Sequence, residues 1–290
     1  MDIRDVKEEP QVVEGGMYLE KIYELQKVLV DHYVKIEGLP PYPISVNTKP
    51  SQIILKDFTG RVIEELAEGF ESHLLIDELT SNNLYWSDED GSSNDYQQMV
   101  NHLQNLNEEQ ADAMHFMTEL MIYCNIQPDD IQAWIDAYVK KYNFNSINAG
   151  APYVGTDGDV IANAIELGYA IFEGDLTLSR EGVNLVKYID EVKLKYLPGA
   201  RYLSMELMEL SEKLLWRVTY HINISRNCLK NKPWKQSGVM TDETLYQSKV
   251  VEAFVYMMTY FGFIGMGSKE IYYLYFKKNM VNQFRIKSNY

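Results

Sequence analysis

The chain is poor in cysteine, in positive charge, in long apolar runs and in the alternation that marks β-strands. Only Cys124 and Cys228 occur in 290 residues, too few for a disulfide framework. Lys and Arg number 27 against 42 Asp and Glu, a formal charge of −15. That imbalance argues against a general electrostatic grip on nucleic acid and against binding to anionic membranes. An anionic substrate would need metal ions or a local basic cluster. The most apolar run, Phe254 to Met266, is too short to span a bilayer. The opening M-D-I-R-D-V-K-E-E-P holds no apolar stretch of the export type, so a cytoplasmic protein is expected. Few segments alternate with period two for long enough to make a strand, which predicts an all-α fold. With 46% hydrophobic residues the core is ample.

What the chain does have is helical spacing. Residues 1–16 are acidic and end in Gly15-Gly16, so a flexible arm is expected there. Met17 to Ile36 repeats apolar residues at one helical face and stops at Gly38. Four prolines between 40 and 50 predict an extended connector. Helical patterns follow over Pro50 to beyond His73, Asn107–Asn125, Pro128–Tyr142, 159–172, 180–196, Leu203–Ile222, 243–261 and Lys269–Phe284. Residues 80–97 read as a polar loop in which Trp86 is either a local anchor or a lid that stacks on a ligand.

The segment Phe58 to Glu71 organises the reading. At about 100° per residue, Val62, Ile63, Leu66 and Phe70 form an apolar stripe. Glu65 and Glu68 fall along its edge, while Glu64 and Glu71 face water. An E-x-x-E on a half-buried helix is ordinarily a solvated face. A second pair changes the balance: Glu109 and Asp112 border the stripe of Ala113, Met117, Leu120, Met121 and Cys124. Two helices offering four inward carboxylates have the ligand set for two hard divalent cations.

Two further features belong with these. Glu65–Glu71 is similar to Glu206–Glu212, and Ala137–Asn145 to Leu274–Asn282, in the same order. The halves, about 17–145 and 200–290, therefore read as diverged copies of a helical repeat, with 146–200 as a connector. Where the first half has Glu109 and Asp112, the second has Lys249 and Glu252, and a lysine there would repel a metal. Near the end, Lys278, Asn282 and Arg285 share one helical face. This is either a solvated helix end or the stripe a triphosphate needs opposite the metals.

E-E-L-A-E, then E-Q-A-D-A-M-H-F, then K-N-M-V-N-Q-F-R together resemble the all-α nucleoside triphosphate pyrophosphatases, within them the dimeric dUTPase type. The resemblance covers roughly 17–142 and 200–290. It implies metal ligands Glu65, Glu68, Glu109 and Asp112, holding two or three Mg²⁺ ions that Mn²⁺ can replace. Glu65 would orient or deprotonate a water. Lys278 and Arg285 would hold phosphate, Asn282 phosphate or base, and Gln26 and His115 would lie near base or sugar, where Trp86 would join them if it is a lid. The implied reaction splits a nucleoside triphosphate, dUTP by default, into monophosphate and pyrophosphate in a homodimer. dCTP, dTTP or a purine substrate would need only a changed base pocket. A nucleotide-binding protein without turnover and a helical interaction protein are the alternatives. A di-iron carboxylate bundle would need a second E-x-x-H-type motif, and Glu252 is followed by Ala253, Phe254 and Val255.

Overall fold

The computed structural model describes residues 3–11, 13, 18–82, 94–131, 133–134, 200–230, 240–263, 266 and 268–288. Among the described residues there is no strand. The described residues form six α-helices of 19 residues or more: α1 (Tyr18–Ile36), α2 (Lys49–Asn82), α3 (Asn94–Tyr123), α4 (Ala200–Cys228), α5 (Glu243–Phe263) and α6 (Ser268–Ser288). The all-α expectation holds. The predicted helices at 159–172 and 180–196, the 137–145 half of the repeat and Trp86 lie outside the described residues.

Local chemistry sets the helix ends. Gly38 takes a positive φ of 67° just past α1, the backbone state that a glycine adopts without strain. Thr48 caps α2, its Oγ1 accepting from the Ser51 amide at 3.3 Å, and Pro50 occupies the first turn, where no helical amide is needed. α2 and α3 are longer than the spacing implied because polar turns at their far ends continue the helix beyond the apolar stripe. At the other end of α3, the Ile126 amide reaches back to the Met121 carbonyl at 2.9 Å, and Asn125 bonds Ile122 at 3.1 Å with φ of 58°. This left-handed cap stops the helix two residues short of the expected Asn125. Asp242 caps α5 through the Leu245 amide at 3.0 Å.

α2 and α3 form an antiparallel hairpin. Phe58 stacks near Tyr123 at one end, and Asn105 donates to Ser72 at 2.9 Å further along. Gly69 lets the two helices close up, since a Cβ there would stand 3.3 Å from the Glu109 Cβ. α4 and α5 make a second hairpin, and α6 lies against α1 and α3. Residues 253–261 of α5 are all buried, so the most apolar run is the centre of the core. None of the helices is long and apolar enough to cross a membrane, among the described residues.

The connectors are tied together. Gln52 donates to both the Val46 carbonyl and Thr241 Oγ1, and the Thr241 amide donates to Asn47 Oδ1 at 2.7 Å. One hydrophobic cluster runs through all six helices. The segment read as a loose arm has a foothold: Ile3–Asp5 forms a 3₁₀ turn against α6, and Val6 is buried.

Candidate functional site

α1, α2, α3 and α6 wall a cleft of about 470 Å³. The apolar stripe of α2 turns Val62 and Leu66 into the core, which leaves Glu65 at the helix boundary facing α3. Across the hairpin stand Glu109 and Asp112. One carboxylate oxygen from each of Glu65, Glu109 and Asp112 falls within 4.8 Å of the others, a spacing that could hold a metal ion. Three oxygen donors suit a hard cation rather than a soft metal.

The carboxyls carry the mark of this crowding. Burial is the largest influence on Glu65, followed by its hydrogen bond with Glu109 and the charges of Asp112, Glu109 and Glu68; together they push its carboxyl up to about 8. Burial likewise raises Glu109, against the downward pull of its bond with Glu65. Burial raises Asp112 despite Lys278. Glu68 acts on Glu65 and Glu109 by charge alone: its side chain is exposed and lies outside the three-ligand group. Glu64 and Glu71 point to solvent as expected.

α6 supplies the opposite charge. Lys278 is buried, with Nζ 2.6 Å from Asp112 Oδ2 and 3.2 Å from Glu108 Oε1. Burial works against its charge, but Asp112 and Glu108 outweigh that and hold the ammonium charged above its usual range. Asn282 and Arg285 line the same cleft, one and two turns on. The stripe read from the sequence lines the same cleft as Glu65 and Asp112, with Lys278 paired to Asp112 and Glu108.

Gln26 and His115 close the cleft on its inner side. Gln26 Oε1 accepts from the Tyr275 hydroxyl, and it lies 3.0 Å from His115 Nδ1. An amide oxygen only accepts, so Nδ1 carries the proton. The His115 ring stacks on Tyr275 with centroids 3.9 Å apart. Burial, with Lys278 adding to it, drops the imidazole to about 3, so His115 is neutral and its Nε2 is a bare acceptor. That Nε2 is buried without a partner.

One group went unread in the sequence. Glu119 lines the cleft, is 6% exposed, and is pushed up to about 8 by burial and then by Glu37 and Asp57, with Arg61 pulling the other way. The signal was available, since Glu119 follows His115 by four residues and so shares its helical face.

The second hairpin differs. Glu252 lies 2.5 Å from Lys249 Nζ and 2.7 Å from His221 Nδ1. Burial alone would raise its carboxyl, but His221 and Lys249 outweigh that and hold it below the usual range. Its partner across the hairpin is His221, about four turns along α4 from Glu206. No family model, curated protein or solved structure matches this chain.

Proposed function

We propose that the cleft binds a nucleoside triphosphate with a divalent cation and hydrolyses it to the monophosphate and pyrophosphate. The observation that carries this is a cleft lined by Glu65 and Asp112, which group with Glu109 on the α2/α3 hairpin, and by Lys278, Asn282 and Arg285 of α6. The reading also draws on the ordered motifs in the sequence, which resemble the all-α pyrophosphatases of the dimeric dUTPase type. On the same reading the chain is a tandem, diverged helical repeat whose first half keeps the metal ligands.

Glu65, Glu109 and Asp112 would hold Mg²⁺ or Mn²⁺, with Glu68 within reach of a further ion on the exposed side. A cation there would supply charge neutralisation for phosphate oxygens that otherwise repel an incoming nucleophile. Glu65 would receive the proton of the attacking water. Lys278 exchanges carboxylate for phosphate, and Arg285 and Asn282 hold the remaining oxygens. Gln26 and His115 flank the nucleoside. The water oxygen bonds to the α-phosphorus as the bond to the bridging oxygen breaks, and pyrophosphate leaves with that oxygen. dUTP is the first substrate to try.

The test is direct. The full chain is incubated with Mg²⁺ and each dNTP and NTP in turn, with and without EDTA, and monophosphate and pyrophosphate are measured. Production of both from at least one nucleotide, abolished by EDTA and by Asp112→Asn, supports the reading. Tight nucleotide binding without products assigns the cleft to a non-catalytic binder. A homodimer is part of the proposal, and light scattering at a mass of one chain removes it.

A further inference from the structure

Glu119 belongs to the cleft but has no part in the metal and phosphate end just described. It lies seven residues beyond Asp112 on α3, about 10 Å along the helix axis. That is the reach from a 5′-phosphate to the far edge of its base. The aromatic ring of Phe116 and the apolar side chains of Leu29, Ile54 and Phe58 line the same cleft. They offer the flat, dry walls that a base would use for stacking.

Among the described residues nothing hydrogen-bonds the Glu119 carboxyl. The nearby Arg61 is engaged elsewhere, with Nε 2.9 Å from Asp57 Oδ2 and the guanidinium 5.3 Å over the Phe116 ring. Its carboxyl therefore opens on the cleft, where a ligand can meet it directly. One turn back, His115 Nε2 is buried without a partner and calls for a ligand in the same part of the cleft.

We propose that Glu119 is the base-reading residue of the cleft, meeting the nucleobase edge as a carboxylic acid that donates one hydrogen bond and accepts another. This rests on the proposed nucleotide function and deepens it. A neutral acid matches either an N–H beside a carbonyl or a ring nitrogen beside an amino group, so it reads the edge of a base rather than a sugar or phosphate. Its surroundings favour the uncharged form. Glu37 and Tyr33 approach from the α1 side, Asp57 and Arg61 from α2, Tyr123 from α3 and Tyr275 from α6, and Arg61 is the one cation of the set.

The experiment measures Mg²⁺-dependent binding to the full chain by calorimetry, with inorganic triphosphate as the base-free probe. It is compared with α,β-imido analogues of each dNTP, for wild type, Glu119→Gln and Glu119→Leu. Wild type should bind its best nucleotide about tenfold or more tighter than inorganic triphosphate. Glu119→Leu should lose that margin while inorganic triphosphate binds as before. Glu119→Gln, which keeps one donor and one acceptor, should keep the margin at pH 7. It should also keep it at pH 9, where wild type loses it. A leucine variant that retains the margin, or a glutamine variant that loses it at pH 7, overturns the proposal while leaving the pyrophosphatase reading intact. Failure of wild type to bind inorganic triphosphate or any analogue removes both.

Discussion

Replacing Lys278 with methionine tests the electrostatic core of the site. Its Nζ stands 2.6 Å from Asp112 Oδ2, as a built-in cation on the acidic triad. A divalent ion joining that triad would sit roughly 2.1 Å from a ligand oxygen, which leaves it about 5 Å from the ammonium. A double and a single positive charge at about 5 Å repel by about 1.7 kcal/mol even at the dielectric of water, and by more in a cleft. That corresponds to roughly fifteenfold in affinity. Lys278→Met, which keeps the length of the buried stem, should therefore tighten Mg²⁺ or Mn²⁺ binding by about tenfold or more, read by calorimetry or by free Mn²⁺ resonance. The same variant should bind inorganic triphosphate more weakly in the presence of Mg²⁺, because the phosphate loses a charge-assisted partner. Without cation it should melt lower, since Asp112 and Glu108 lose their counter-charge, and saturating Mg²⁺ should restore it. Cation affinity that is unchanged or weakened would refute the reasoning, because it would mean the triad is no cation site or Lys278 does not feel its occupant.

Other consequences can be checked alongside. Glu65 has its carboxyl raised to about 8, so it favours the fold fully below its ordinary value near 4.5 and loses that advantage as pH climbs through 8. Half-exposed as it is, the discounted effect is about 1–2 kcal/mol, and Glu65→Gln should flatten the fall in metal-free stability from pH 5 to 9; an unchanged profile would contradict the crowding. Mg²⁺ should raise the melting temperature of wild type and of Glu252→Gln, and not that of Glu109→Gln, with Glu68→Gln intermediate. Equal loss in Glu252→Gln would give the second hairpin a metal role that its Lys249 and His221 pairing denies. Gly69→Val, which adds bulk where a Cβ already meets Glu109 at 3.3 Å, should spread the hairpin and cost both stability and Mg²⁺ affinity. Wild-type behaviour would show that the close approach is dispensable.

The site was legible where periodicity alone decides position. The stripe of Val62 and Leu66 fixes the side of α2 that Glu65 borders, and Met117 and Met121 do the same for Asp112 on α3. A helical wheel also placed Lys278, Asn282 and Arg285 on one face. It could not tell that Lys278 would rest on Asp112, since that pairing depends on how α6 crosses α3. Glu68 shows the limit from the other direction: a place on the edge of the stripe did not bring it inward, and it is exposed and outside the three-carboxylate group. Glu119 stands among Thr118, Leu120 and Met121 with no nearby acidic partner, so its only mark in the sequence is the four-residue step from His115. The correspondence of Glu206 with Glu65 rested on local likeness, whereas the register of α4 on α5 brings His221 to Glu252.

The packing of α6 on α1 and α3 also ties the cleft to the far end of the chain. Glu65, Glu109 and Asp112 come together within one hairpin, whereas Gln26 meets Tyr275, and Asp112 meets Lys278, across more than half of the chain. Without α6 the three carboxylates would face one another with no lysine among them, so the helix that walls the cleft is also the one that supplies its counter-charge.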